Sequence, residues 1–433
     1  MKSGNRMLAV VRSGMFLAAL FLAAFIGASS GAPAQAVAQK AFALREGDRV
    51  VFYGDSITDQ RRYTSFVETF VVTRFPKMNI TFVHSGWGGD RVSGGGGGPI
   101  DVRLWRDVVP YNPTVVTIML GMNDGGYRAF DQKIFDDYSS GFKHIVDILK
   151  RQFPGIRITA IQPSPYDDVT KAPAFEGGYN KVLVRYGEFL REFAASEKLS
   201  LADLNTPVVA ALAKANASDP AAAGRLIPDR VHPGEQATLV MAEALLESWN
   251  APAVVTEVEI DAARKTASTH VNTRVSDLER GKGISWRQLD EALPMPLSFQ
   301  EPLMALVLKS CDFISSLNRQ PLRVKGLAAG RYSLRIDGEA VGVFGSEQLT
   351  AGINLAELAT PMARQAADVH NLTLQHNAIH ATRWRQVQVP LQKIQSPEML
   401  EALRALDELE ARLVRDQRAA AQPQMRRFEL SPE

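Results

Sequence analysis

The sequence predicts a three-layer α/β fold, a parallel sheet with helices on both faces, followed by a C-terminal α+β extension. From Asp48 to about Trp249, short β-branched runs alternate with stretches of helical period, which is the pattern of a parallel sheet wrapped by helices. Near Asn250-Ala251-Pro252 that alternation stops. Beyond it a helical region, a hairpin signal and two more helical patterns follow one another.

Arg49–Tyr53 (RVVFY) is the expected first strand, Ile80–Ser85 the second, Thr114–Leu120 the third, Arg157–Ile161 the fourth and Leu199–Leu204 a fifth. Between the third and fourth, Ile134, Tyr138, Phe142, Ile145 and Leu149 fall on one helical face. Val182, Tyr186, Phe189 and Phe193 do the same between the fourth and fifth. A last helix is expected right after His232, with Pro233 in its first turn, running to Trp249. Past the break, residues 261–320 read as mainly helical. Tyr332, Leu334 and Ile336 alternate with polar residues, and Asp337-Gly338 is a strong hairpin turn before Ala340–Phe344. Helical pattern resumes near Pro361. Ser396-Pro397 caps a final helix carrying Leu400, Leu403, Leu406, Leu409 and Leu413. The expected organisation is therefore a targeting segment at 1–38, an α/β domain at 39–250, an accessory α+β region at 251–418 and a loose tail at 419–433.

Size and composition set the outer limits. A chain of 433 residues with 45% hydrophobic and 22% charged residues is an ordinary globular composition, long enough for more than one domain. Lys2, Arg6 and Arg12 precede an apolar run from about Ser13 to Ala28, and two A-x-A sites follow at 34–36 and 36–38. This is the layout of a cleaved export signal, and the run is short against the ~20 residues that span hydrocarbon. Taking those three cations from the formal charge of +2 leaves −1, so nothing points to nucleic acid or an anionic surface as partner. Cys311 is the one cysteine, which excludes an internal disulfide and a cysteine metal cluster and reads as a structural thiol. Its neighbours Leu308, Phe313 and Ile314 are apolar.

Four segments carry chemistry. Ser56 stands in Gly54-Asp55-Ser56-Ile57-Thr58 directly after the first strand, a turn that projects a side chain from the carboxyl end of a sheet. Alone this serine reads more readily as a helix N-cap than as a nucleophile. Trp87-Gly88-Gly89-Asp90 follows the second strand and Gly121-Met122-Asn123-Asp124 the third, and Asp229-Arg230-Val231-His232 precedes the last helix. Acyl transfer needs an activated hydroxyl, a base, a group that orients the base, and donors for the developing oxyanion. Ser56, His232 and Asp229 supply the first three. The Ser56 N–H, a glycine N–H and the Asn123 amide supply the donors.

In this order the four segments resemble blocks I, II, III and V of the SGNH hydrolases, also called GDSL esterases, over roughly 48–250. The resemblance implies a flavodoxin-like three-layer sheet, Ser56 as nucleophile, Asp229 and His232 as the rest of the triad, and Ser56, Gly89 and Asn123 as the oxyanion hole. Gly89 is preferred to Gly88 because the family's glycine commonly precedes an aspartate, here Asp90. It also implies that Asp55, Asp90 and Asp124 shape loops, and that no cofactor or metal is needed. Thr58 is a common variant of block I. The run Gly94–Gly98 lies outside the family pattern and reads as a mobile loop or a surface spacer. The expected activity is hydrolysis of short-chain or acetyl esters, of a small molecule or a polysaccharide, outside the cytoplasm. Long-chain lipase, lysophospholipase or acyltransferase chemistry with the same residues is the runner-up. Trp87, Tyr127 and Phe130 are candidate pocket walls.

Three rival readings have sequence features to weigh. An α/β-hydrolase needs G-x-S-x-G, and this pentamer ends in Thr58. His376 and His380 are spaced i, i+4 with His370 nearby, but the zinc-peptidase glutamate position is Asn377. A glycan-binding module with a vestigial site conflicts with the complete Ser56, Asn123 and His232 set.

Overall fold

The computed structural model describes residues 41–394 and 396–433; the expected targeting segment at 1–38 lies outside them. β1 (Arg49–Gly54) is buried from Val50 onward, as expected of a parallel strand covered on both faces. It runs into the short helix α1 (Ser56–Asp59) and then α2 (Arg62–Arg74). β2 (Thr81–Gly86) pairs parallel with β1. The glycine run makes a small ribbon, β3 (Gly94–Gly95) against β4 (Gly98–Pro99), ahead of α3 (Ile100–Asp107). β5 (Val115–Met119), α4 (Gln132–Gln152), β6 (Arg157–Ile161), α5 (Gly178–Glu197) and β7 (Ser200–Ala202) continue the alternation. α6 (Thr206–Ser218), α7 (Pro220–Ala223) and α8 (Glu235–Ser248) close this half.

The sheet order is β2-β1-β5-β6-β7. From β1 the chain steps outward to β2, and from β5 it steps the other way. Right-handed crossovers then put their helices on opposite faces. α2 packs with α8, and α4 meets α5 through Tyr138 and Tyr186, whose rings stack at 4.3 Å. The direction changes between β1 and β5, and it is outside the carboxyl ends of strands at such a switch point that open α/β sheets have their ligand crevice. Two glycines keep it tight. A side chain at Gly54 would strike Thr58 and the Met119 carbonyl, and one at Gly86 would strike the backbone of Thr58 and Asp59. α1 therefore sits directly on the end of β2.

The second half contradicts the expected helical reading of 261–320. β8 (Glu257–Asp261), β9 (Thr266–Val271), β10 (Thr273–Arg280) and β11 (Ile284–Asp290) occupy most of it, followed by the short helices α9 (Pro302–Ser310) and α10 (Phe313–Leu317). β9 and β10 are largely solvent-facing, so no apolar alternation marks them as strands. β12 (Pro321–Lys325) follows, and the Asp337-Gly338 turn joins β13 (Arg331–Ile336) to β14 (Glu339–Gly345). Both turn residues have positive φ, 53° and 80°, as a two-residue type I′ hairpin requires. α11 (Ser346–Ala351), β15 (Ile353–Asn354), α12 (Pro361–Ala381), a π-helical segment (Thr382–Gln388), α13 (Val389–Leu391) and α14 (Pro397–Ala420) come next. Ser396 caps α14, accepting from the Met399 N–H at 3.2 Å.

The expected loose tail is instead β16 (Met425–Pro432), paired with β11 on one side and β13 on the other. It lies at the middle of the sheet β10-β11-β16-β13-β14, and a second sheet runs β15-β12-β8-β9. Val258, Ile260, Leu322 and Val324 of one sheet share an apolar core with Trp286, Leu334, Phe428 and Leu430 of the other. Met304, Val307, Phe313 and Leu317 of α9 and α10 belong to the core of the first half. α12 and α14 pack on each other, and α12 packs on α2. Among the described residues no helix is long and apolar enough to cross a membrane.

Candidate active site

Ser56 is the first residue of α1, and Asp55 caps that helix by accepting from the Ile57 N–H at 3.0 Å. The cap turns the chain sharply out of β1 and leaves the Ser56 side chain half-buried at the crevice. His232 Nε2 lies 2.8 Å from Ser56 Oγ, across 176 positions of sequence. His232 Nδ1 lies 2.6 Å from Asp229 Oδ2. When Nδ1 carries the proton and donates to Asp229, Nε2 is left to accept the serine hydroxyl. The three side chains expected to form a relay are thus in hydrogen-bonded series.

Local backbone geometry holds this arrangement. Asp229 Oδ1 accepts from the N–H groups of Val231 and His232 at 3.0 and 2.8 Å, and Arg230 turns through φ 70°. Arg62 donates to the Pro233 carbonyl at 3.0 Å. The Gly234 N–H reaches the Leu226 carbonyl at 2.8 Å, and Gly234 is the extended cap of α8. His232 precedes the helix as expected, but Pro233 does too, because the helix begins at Glu235, two residues later than the expected start. Burial pushes the Asp229 carboxyl up, but hydrogen bonds from the His232 backbone and ring and from Val231 outweigh it and hold the group below its ordinary value.

The oxyanion candidates lie on the loops after β1, β2 and β5. Gly88 and Gly89 are separated by their partners: the Gly88 N–H donates to Asp59 Oδ2 at 3.2 Å, whereas the Gly89 N–H has no acceptor among the described residues. Gly89 also has φ 78°, a left-handed conformation that glycine adopts without strain. Asn123 Nδ2 donates to the Asp90 carbonyl at 3.0 Å, and Asn123 Oδ1 accepts from the Tyr127 hydroxyl at 2.8 Å. An amide nitrogen carries two hydrogens, so one remains for a ligand. Asp90 accepts from Arg103 Nε at 2.7 Å, and Asp124 accepts from the Val92 N–H at 2.9 Å. Both carboxylates tie loops together. Burial pushes the Asp55 and Asp124 carboxyls up to about 7.

The aromatic candidates take different places. Tyr127 stands beside Tyr179 and Tyr166 at 5.1 and 6.1 Å between ring centroids, next to the Asn123 amide it bonds. Phe130 packs under the Arg185 guanidinium at 4.4 Å, away from the Ser56–His232 pair in the contacts it makes. Trp87 is covered by Arg385 at 3.4 Å and flanked by Arg103 and Arg106. The glycine run, expected as a mobile loop or spacer, is a ribbon laid against this cluster. A side chain at Gly97 would come within 2.6 Å of the Trp87 ring and 2.7 Å of Arg103.

Sequence reasoning missed the residues that the C-terminal half sends here. Trp384 is buried and donates its indole N–H to Asp107 Oδ1 at 2.6 Å. Its ring meets Trp87 edge-on at 5.6 Å. Arg103, fully buried, joins Asp90, Asp107 and the Ser85 carbonyl. No motif marks Trp384 or Arg385, because their partners lie some 300 positions away.

The histidines weighed as metal ligands are engaged elsewhere. His376 Nε2 is 2.5 Å from Glu68 Oε1, His380 Nδ1 is 3.3 Å from Glu410, and His370 Nδ1 is 2.8 Å from Thr69 Oγ1. Among the described residues, no group of three or more His, Cys, Asp or Glu side chains is arranged to hold a metal ion. Cys311 is half-buried, and burial and Glu243 push its thiol up to about 12.

Comparison with known proteins follows the same lines. An acetylxylan esterase from Geobacillus stearothermophilus is 24% identical over 225 residues, covering 47% of this chain and 94% of that protein. The solved structure of a gut microbial diltiazem-metabolizing enzyme superposes with a TM-score of 0.81 at 28% identity, covering 91% of this chain and 100% of its own. The similarity to that structure extends well past residue 250 and takes in most of the C-terminal half. Residues 52–238 match the GDSL-like Lipase/Acylhydrolase family. They contain Ser56, Gly89, Asn123, Asp229 and His232, and it is over this segment that the chain is similar to that family.

Proposed function

We propose that this chain is an exported serine esterase acting on short-chain, chiefly acetyl, carboxylic esters through an acyl-enzyme. The observation that carries the reading is the series Asp229–His232–Ser56, with contacts of 2.6 and 2.8 Å, at the crevice where the sheet changes direction. Ser56 Oγ attacks the ester carbonyl carbon as its proton passes to His232 Nε2, while Asp229 orients the ring and stabilises the imidazolium. The oxyanion is met by the N–H groups of Ser56 and Gly89 and the remaining Asn123 amide hydrogen. The bond to the alcohol breaks as His232 gives its proton to the departing oxygen. Water then attacks the acyl-Ser56 ester by the same route, releasing the acid and restoring the hydroxyl.

The acetyl preference is supported by the acetylxylan esterase relative. The test is a panel of 4-nitrophenyl acetate, butyrate and palmitate, acetylated xylan and diltiazem, run with the parent and Ser56→Ala. Faster turnover of acetyl esters, lost in Ser56→Ala, and a parent protein heavier by one acyl group after rapid quenching are expected. Palmitate as the best substrate would refute the short-chain preference. Export is tested by the N-terminus of the mature protein, expected near Ala38.

A further inference from the structure

We infer that Arg385, delivered by the π-helical segment Thr382–Gln388, is a positioning residue for the oxyanion loop, so that the C-terminal half completes the active site. The inference rests on the esterase reading above. Its first observation is a junction of charges. Asp59 ends α1, three residues after Ser56, and its Oδ2 accepts from the Gly88 N–H at 3.2 Å. Arg385 Nη2 stands 3.7 Å from that same oxygen. One carboxylate thus links the nucleophile's helix to the loop carrying Gly89, and Arg385 neutralises it from the outside.

The second observation is a stack. The Arg385 guanidinium lies 3.4 Å from the centroid of Trp87, the residue that opens the Trp87-Gly88-Gly89 loop. Its Nη1 is shielded from solvent without an acceptor among the described residues, so the cation is held against the ring, where such contacts are strongest. From the other side Trp384 meets Trp87 edge-on and bonds Asp107, which also holds Arg103, and Arg103 in turn holds Asp90. Residues on both flanks of Gly88-Gly89 are therefore fixed by one turn of chain from beyond residue 380. The turn is a π-helix inserted directly after α12, a rare conformation that is frequent at functional sites. It places consecutive residues 384 and 385 on the same tryptophan.

Loss of Arg385 leaves Ser56, His232 and Asp229 untouched, but uncovers one face of Trp87 and leaves Asp59 with Arg61, at 3.9 Å, as its remaining cation. The Gly89 N–H then drifts from the oxyanion. Misplacement of a transition-state donor lowers kcat more than substrate binding, and loss of one such donor outright costs about 10²–10³. With 4-nitrophenyl acetate, Arg385→Ala is expected to lower kcat by roughly tenfold to a hundredfold with KM within about threefold of the parent. Arg385→Lys, which keeps the charge and loses the flat stack, is expected to fall between the two. The double variant Arg385→Ala/Asp59→Ala should lose no more than the worse single variant, since both act through the same loop. Parent-like kcat in the Ala variant, a KM effect with kcat unchanged, or additive losses would overturn the inference. If the Ala variant does not fold, as judged by its melting transition, the Lys variant decides by the same kcat and KM readout. Ser56→Ala in the same assay separates the two claims. A Ser56→Ala protein at parent rate removes the esterase reading, whereas an inactive Ser56→Ala beside a fully active Arg385→Ala removes only this inference.

Discussion

Asp229 holds His232 twice, through Oδ2 to the ring at 2.6 Å and through Oδ1 to its amide at 2.8 Å. One carboxylate therefore sets both the tautomer of the imidazole and the shape of the loop that carries it. The Asp229 side chain is 54% exposed and the His232 side chain 30%, so water can share the work of orienting the ring. Asp229→Asn is expected to lower kcat by about 10²–10³, against about 10⁵ or more for Ser56→Ala. The measurement is kcat on 4-nitrophenyl acetate. An Asn variant at the parent's rate would remove Asp229 from the proposed relay.

Two buried carboxyls beside the site, Asp55 and Asp124, make stability depend on pH in an unusual direction. Both are pushed up to about 7, so the folded state keeps protons that the unfolded chain releases near pH 4. The unfolded state then binds fewer protons across that interval, and stability falls as pH rises from about 4 to about 7. Asp55→Asn keeps an oxygen for the Ile57 N–H and carries no charge. Denaturant midpoints should show the Asn variant more stable than the parent at pH 8, and near it at pH 4. The opposite ranking at pH 8 would mean that the Asp55 charge is compensated in the fold.

Glu68 shows the reverse sign. It sits buried on α2 among His84, His376, Asn377 and Gln417, at 3.1, 2.5, 3.2 and 2.9 Å. Burial alone would raise its carboxyl, but His376 and His84 outweigh that and hold it far below the usual range. For His376, burial works downward and Glu68 more than offsets it, so the imidazole is raised. Glu68 stabilises above pH 4.5 and loses that contribution as pH falls through its depressed value. His376 stabilises below about 6.5 and loses its contribution as pH rises through its raised value. Glu68→Gln should cost roughly 3–5 kcal/mol, the penalty for leaving a buried charge without its partner. Urea unfolding at pH 6 measures it. A loss under about 1 kcal/mol would show that the pair is neutral in the fold.

How much of this was legible follows from how local each signal is. β1, β5 and β6 are near-continuous apolar runs, and the sequence boundaries match the structure within a residue or two. The loops of Ser56, Gly89 and Asn123 follow β1, β2 and β5, so strand position and motif pointed to the same edge of the sheet, while Asp229–His232, between α7 and α8, was marked by its motif and by the helix after it. β9 and β10 could not be recognised that way, because their side chains are mostly polar on both faces. Asp107 could not be foreseen as a partner of Trp384, since 277 positions separate them and neither residue type implies the other. The glycine ribbon was misread for a related reason. Gly97 answers to the bulk of Trp87 and Arg103 across space, and composition alone suggested only looseness.

The C-terminal strand provides the sharpest test of the second half. In β16, Phe428 and Leu430 point into the core while Arg427 and Glu429 face outward. Two inward residues at a chain end make too short an alternation to stand out, yet the strand is hydrogen-bonded along both edges. Phe428 also stacks on Trp286 at 5.1 Å. Phe428→Ala should therefore cost roughly 3–5 kcal/mol, as large-to-small changes in a packed core do. Removing residues 424–433 should do more, because it exposes the facing edges of β11 and β13, and unpaired edges associate. Denaturant unfolding of the point variant and sedimentation of the truncated protein measure the two effects. A truncated chain that stays monomeric with the parent's midpoint would show that the sheet holds without its middle strand.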